Sequence, residues 1–211
     1  MKRAFLAATL VAAILAGVAV AGGPSLTNPS SLHAKAPATF TAKFVTTKGT
    51  FTVLVTRAWS PIGADRFYNL VVNKFYDNQP LYRVIRGRWV QWGINMTPKI
   101  AKIWQHAYIK DDPPVGQHNA KGLMSFANSN AKNSRTTQVF MNMGTNTSLD
   151  KVHGFTPFAK ITSGIDVFGK LYAGYGDGPT HVQSLFVDNG AHWVHVNYPK
   201  MDWITTARVV Q

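Results

Sequence analysis

Leu81-Tyr82-Arg83-Val84-Ile85-Arg86-Gly87-Arg88-Trp89-Val90-Gln91-Trp92-Gly93 is the stretch on which the fold turns. Two apolar runs, residues 81–85 and 89–94, meet at Gly87 and read as adjacent strands. Side chains alternate along a strand, so Arg83 cannot face the same side as Val84. An arginine among apolar neighbours is uncommon and asks for a reason. From this segment alone two readings stand: a structural ion pair or edge-strand charge, or a cation held for a function.

On the N-terminal side, residues 39–46 and 50–56 alternate apolar and polar, with Lys48-Gly49 as a tight turn between them. Phe51, Val53 and Val55 share one face. Ser60-Pro61 supplies a cap and a proline at the first helical position, and Phe67, Leu70 and Val71 follow at i, i+3, i+4 spacing. That helix is expected to end near Lys74, before a turn at Asp77-Asn78-Gln79-Pro80. On the C-terminal side, residues 123–127, 138–142, 158–161 and 203–210 read as strands, and 165–172 as a second helix. A long loop spans about residues 95–121. Many short strands with few helices and no repeat predict one all-β barrel or sandwich of roughly 170 residues.

Met1-Lys2-Arg3, an apolar run over residues 4–21 broken by Thr9, and Ala19-Val20-Ala21 before Gly22-Gly23-Pro24 have the pattern of a secretory signal. Cleavage after Ala21 is expected, giving a protein exported to a periplasmic or extracellular location. Residues 22–37, rich in Gly, Pro, Ser, Asn and Ala, read as a flexible tether ahead of a domain over 38–211.

The 211 residues carry 22 Lys and Arg against nine acids, a formal charge of +13, and every acid is Asp. Loss of Lys2 and Arg3 would leave +11. Chemistry that needs several carboxylates is disfavoured, while attraction to anionic membranes or cell-wall polymers is expected. Zero Cys excludes disulfides and thiolate chemistry. No G-x-S-x-G, Walker loop, G-x-G-x-x-G or H-E-x-x-H occurs, and of seven His residues only His192 and His195 lie close in sequence. No metal or cofactor is expected, and Asp111-Asp112-Pro113-Pro114 reads as a turn.

The order of several short blocks resembles the cyclophilin family of peptidyl-prolyl cis-trans isomerases, over most of residues 38–211. The family's Phe-His-Arg-x-x-Pro-Gly-Phe-x-x-Gln-x-Gly block is similar to residues 81–93, with Arg83, Gly87, Gln91 and Gly93 retained. Gly122-Leu-Met-Ser-Phe-Ala-Asn128 followed by Thr137-Gln138-Val139-Phe140-Met141-Asn142 resembles the strand pair lining the family's proline pocket. Leu149-Asp150, Gly154-Phe155-Thr156-Pro157-Phe158-Ala159-Lys160-Ile161, Phe75-Tyr76-Asp77 and Asn197-Tyr-Pro-Lys-Met-Asp-Trp-Ile resemble a bacterial exported subgroup.

The resemblance implies a closed antiparallel barrel of about eight strands capped by two helices, and isomerisation of the bond before proline without a cofactor. Arg83 is the implied catalytic residue. Gln91, Trp89, Phe126, Ala127, Asn128, Phe140, Leu149 and His153 are the implied substrate-binding residues. Gln91 and the Asn128 backbone would hold the substrate main chain, with Phe140 and Leu149 forming the floor under the proline ring. The chain departs from the family at Arg86, Arg88 and Trp89, where it has Pro, Phe and Met, and at Ser148, where many members carry Trp. The leading expectation is a monomeric isomerase assisting the folding of exported, proline-containing polypeptides. The alternatives are a non-catalytic peptide-binding or chaperone module and a basic surface for polyanions, with no specific nucleic acid partner.

Overall fold

The computed structural model of the chain describes residues 25–210. The expected signal segment over residues 1–21 lies outside them. Among the described residues, nine strands form one sheet: β1 (Thr39–Thr46), β2 (Gly49–Thr56), β3 (Gln79–Pro80), β4 (Arg83–Ile85), β5 (Trp89–Trp92), β6 (Leu123–Phe126), β7 (Val139–Asn142), β8 (Pro157–Ser163) and β9 (Trp203–Val210). Four α-helices accompany them: α1 (Pro61–Val72), α2 (Pro98–Trp104), α3 (Val167–Lys170) and α4 (Gln183–Asn197).

Every ladder is antiparallel, in the order β3-β9-β1-β2-β8-β6-β7-β5-β4. The two edge strands, β3 and β4, are separated in sequence by Leu81 and Tyr82 alone, so one extended segment runs along both ends of a half-barrel. This corrects the expected closed barrel of about eight strands with two helices. The segment changes partner midway: β3 pairs with β9, Leu81 N–H donates to Asp202 C=O at 2.9 Å, and β4 pairs with β5. Pro80 has no N–H to continue a ladder, which suits the switch.

The apolar alternation of the sequence becomes the core. Phe40, Ala42 and Phe44 of β1 and Phe51, Val53 and Val55 of β2 point inward, under Phe67, Leu70 and Val71 of α1. Phe44 and Phe51 stack with their rings 4.8 Å apart. The β1–β2 turn consists of Thr47 and Lys48, because Thr46 and Gly49 are already paired. The described part of the expected tether, residues 25–37, packs on the domain instead of hanging free. Leu32 and Ala36 are buried, Leu26 C=O accepts from Trp104 Nε1 at 2.8 Å, and Ala36 N–H donates to Asp65 at 2.8 Å.

The expected loop over 95–121 contains α2, and a second apolar cluster forms where α2 and α4 meet the outer side of the sheet edge. It joins Tyr82, Ile94, Met96, Ala101, Phe186, Val187, Val194, Met201 and Trp203. Gly190 breaks α4 with φ +68, and a Cβ there would come within 2.6 Å of Met96 C=O. Only glycine both reaches that backbone region cheaply and leaves room for the contact.

A buried charge cluster ties the long loops to α1. Asp112 accepts from the N–H groups of Ile62 and Gly63 at 2.8 and 2.9 Å and from the Ser60 hydroxyl at 2.5 Å, satisfying the first turn of the helix. Arg135, 0% exposed, donates to Asp112 Oδ2 at 3.0 Å and to Lys110 C=O. Arg66 donates to Ala107 C=O at 2.7 Å, and burial pushes its guanidinium down to about 10, so it remains charged at neutral pH. Breaking a buried pair on one side leaves the other charge uncompensated. Arg135→Ala is therefore expected to lower the unfolding free energy by about 3–5 kcal/mol, read by urea denaturation. A loss below about 1 kcal/mol, the range of surface pairs, would mean that this cluster does not hold the loops.

Candidate active site

The β4–β5 hairpin turns at Gly87, and its register places Arg83 opposite Gln91; on the other side of β5, Gln91 faces Phe140 of β7. A cation, an amide and an aromatic ring therefore stand in one row across three strands, on one face of the sheet. They line a cavity of about 250 Å³ together with Trp89, Ala127, Asn128, Asn130, Leu149 and Phe155.

Arg83 is held by neighbours on two of its three nitrogens. Nη1 donates to Gln91 Oε1 at 2.9 Å, and Nε donates to Asp177 Oδ1. Its guanidinium lies 4.9 Å from the Trp89 ring centre. Gln91 Nε2 donates onward to Gln138 Oε1 at 2.9 Å, which also accepts from the Tyr82 hydroxyl. Burial raises the Tyr82 phenol well above its ordinary value, so it stays a neutral donor. Gly93 permits this arrangement: a Cβ there would meet Thr137 C=O at 2.5 Å and Gln138 Cα at 2.6 Å. The close approach of the two backbones sets Gln138 behind Gln91.

The floor is apolar. Phe140 is 4% exposed and meets Phe155 edge-on at 5.7 Å and Trp89 edge-on at 6.4 Å. Leu149 rises from a 3-10 turn, Thr147–Lys151, whose Asp150 accepts from the backbone and side-chain nitrogens of Asn119, both at 2.8 Å. Burial alone would raise the Asp150 carboxyl. The bonds from Asn119 and His118 outweigh it and hold the group below its ordinary value. The Asn128 side chain bridges to His153 C=O at 2.5 Å and to Asn130 N–H at 2.9 Å. Its backbone N–H and C=O are engaged by no other described residue, which leaves both available to an extended peptide.

Arg83, Trp89, Gln91, Ala127, Asn128, Phe140 and Leu149 thus come together around one cavity. Two residues named from the sequence do not. Phe126 is fully buried beneath it, 5.1 Å from Phe158. Alternation explains this: Phe126 pairs with Val139, one position away from Phe140, and so faces the core. His153 is exposed and borders a separate cavity of about 460 Å³ beside Asp111, while Phe155 takes its place against Phe140. Phe155 and Asn130 also line the cavity, beyond the residues expected from the sequence; a glycine directly before an aromatic, Gly154-Phe155, is the signal the sequence carries for the first.

The added cations turn away from the cavity. Arg86 donates to Gly169 and Leu171 C=O, both at 2.7 Å, closing the end of α3. Arg88 is exposed, with its guanidinium 4.3 Å from the Trp89 ring centre, and Ser148 is exposed as well. Arg88→Ala should lower kcat/KM on a proline peptide by less than about fivefold, the ~0.5–1 kcal/mol of an exposed cation–π contact. A loss near a hundredfold in a proline-isomerisation assay would place Arg88 in the machinery instead.

Residues 41–186 match the model of the cyclophilin type peptidyl-prolyl cis-trans isomerase/CLD family. The chain is 32% identical over 109 residues to the peptidyl-prolyl cis-trans isomerase-like 3 of Dictyostelium discoideum, covering 51% of this chain and 66% of that protein. It is 28% identical over 145 residues to peptidyl-prolyl cis-trans isomerase A of Dickeya dadantii, covering 63% and 76%. With peptidyl-prolyl cis-trans isomerase B of Escherichia coli it shares 26% over 151 residues, covering 69% and 84%. A crystal structure of a Cryptosporidium parvum cyclophilin type peptidyl-prolyl cis-trans isomerase is similar in fold, with a TM-score of 0.62 at 14% identity over 82% of this chain and 98% of that one. A second structure of that protein, determined in the presence of the dipeptide Ala-Pro, gives a TM-score of 0.61 at 15% identity.

Proposed function

Because the chain belongs to the cyclophilin-type peptidyl-prolyl cis-trans isomerase family, we propose that Arg83 is its transition-state donor and that its substrates are exported polypeptides containing proline. The observation that carries the first part is a half-buried guanidinium, fixed on two nitrogens, at the wall of a cavity floored by Phe140 and Leu149.

The bond before proline resists rotation by about 18–20 kcal/mol because the nitrogen lone pair is delocalised into the carbonyl. At the twisted transition state the prolyl nitrogen becomes pyramidal and regains that lone pair. A cation donor aimed at it binds this state better than either planar ground state, which is what accelerates the step. No bond to the protein forms and no proton need be transferred. Phe140 and Leu149 take the pyrrolidine ring, as apolar surface of matching size. Gln91 and the free backbone groups of Asn128 hold the peptide on either side, so that rotation is confined to one end. The Ala-Pro dipeptide named with the Cryptosporidium structure supports the same class of ligand here.

Arg83→Ala should reduce kcat/KM by on the order of 10²-fold, the ~2.7 kcal/mol at the low end for one preorganised donor, with the fold unchanged. Arg83→Lys should also be slow, since a flexible ammonium cannot reproduce the planar fork. NMR exchange or a protease-coupled assay reads both, and wild-type rates in Arg83→Ala would contradict the assignment.

Export rests on the basic, apolar and small-residue order of residues 1–21. Mass spectrometry of the exported chain should find Gly22 at its N-terminus; intact Met1 in a membrane fraction would favour a retained anchor.

A further inference from the structure

We propose that Asp177 and Gln183, carried by the segment that follows α3, are positioning residues that fix the plane of the Arg83 guanidinium. The inference rests on the reading of Arg83 as donor and adds what holds that donor in place. Asp177 does not line the cavity; it reaches Arg83 from outside and accepts from Nε. Gln183, the first residue of α4, acts at longer range. Its Oε1 accepts from Gln138 Nε2 at 2.8 Å, Gln138 Oε1 accepts from Gln91 Nε2 at 2.9 Å, and Gln91 Oε1 accepts from Arg83 Nη1 at 2.9 Å. The two lines of contact grip adjacent nitrogens of one planar group. Nη2 makes no hydrogen bond to any other described residue, so its donors remain for the substrate.

Asp177 and Gln183 stand on a supported base. Asp177 precedes a 3-10 turn, Gly178–Val182, and its C=O accepts from Thr180 N–H at 2.9 Å. Next to it, Gly178 N–H donates to Tyr175 C=O at 3.0 Å. The Tyr175 ring is edge-on to Tyr172 at 4.9 Å and to Tyr198 at 5.0 Å, which ties the turn to the second apolar cluster. Gln183 lies on the same helix as Phe186 and Val187 of that cluster. Packing of α4, which continues beyond the family match at residue 186, is in this way transmitted to the guanidinium.

Exposure separates positioning from mere stabilisation. The Asp177 side chain is 54% exposed and that of Arg83 is 23% exposed, and an ion pair so open to water contributes little to stability. A long side chain with several rotatable bonds, by contrast, is held to one plane only when two of its nitrogens are engaged. Geometry at the reacting bond is where such a restraint is felt.

The test measures kcat and KM of the full chain on an Ala-Pro-containing peptide for Arg83→Ala, Asp177→Ala, Asp177→Asn, Gln183→Ala and the Arg83→Ala/Asp177→Ala double variant, with thermal midpoints alongside. Asp177→Ala should lower kcat about tenfold, the low end for a lost hydrogen bond to a charged group, and Gln183→Ala about threefold, since it loses a neutral amide–amide bond one step further from Arg83; both should leave KM within about twofold. Asp177→Asn should stay near the wild type, because its amide oxygen still accepts from Nε. In the Arg83→Ala background, Asp177→Ala should cost nothing further. If Arg83→Ala is slow while Asp177→Ala is as fast as the wild type or faster, positioning is overturned and the role of Arg83 survives. An equal loss from Asp177→Ala with and without Arg83 would also overturn it. A fully active Arg83→Ala would remove the donor reading itself, and positioning with it.

Discussion

The β4–β5–β7 register is the constraint on which the site depends. Arg83 faces Gln91 and Gln91 faces Phe140, so charge, amide and ring fall in one row whose spacing the ladder dictates. A shift of one residue in either ladder would turn the whole set to the opposite face. Fixing the proposed donor, Arg83, in a sheet rather than on a mobile loop means that little reorganisation would be needed when the prolyl nitrogen changes shape. The reaction demands no nucleophile or acid–base pair, which fits a chain whose only acids are nine aspartates.

Several of those aspartates are used as structural partners. Asp112 and Arg135 fasten the start of α1 to the long loops, Asp77 pairs with Arg208, and Asp65 receives Arg57. Burial alone would raise the Asp65 carboxyl, but the bonds from Arg57 and Ala36 N–H hold it below its ordinary value. The loop that carries Asn128 is held through Arg135 and by the bond from Asn128 to His153 C=O, and the turn that carries Leu149 by Asp150 and Asn119, while the aromatic core fixes the strands. The second apolar cluster around α4 adds a support on the far side of the β4 edge, where the half-barrel has no ladder between β3 and β4.

The strands were largely legible because alternation is a local signal: 39–46 and 203–210 are the observed β1 and β9. The first helix was announced by Ser60-Pro61 and its apolar spacing. α2 is only seven residues long, too short for a periodic pattern, although Thr97-Pro98 marks its start. α4 was hidden by Gly190, which interrupts its phase. At the site, the residues of the cavity row followed from the family resemblance. Phe126 did not, because sheet alternation turns it inward, and His153 did not, because Gly154 brings Phe155 forward instead. Asp177 left no trace in the sequence: it meets Arg83 across 94 positions, a contact that only the folded chain creates. The packing of residues 25–37 is invisible to a local reading for a similar reason, since Leu32 and Ala36 find burial only against distant elements.

A crystal structure of the chain with a blocked Ala-Pro-containing peptide bears most directly on the proposed donor. The prolyl ring should rest on Phe140 and Leu149, with Arg83 Nη2 within about 3 Å of a polar atom of the prolyl amide. A peptide seated in another cavity, or a proline in this one with the Arg83 guanidinium turned out to solvent, would contradict the role assigned to that residue.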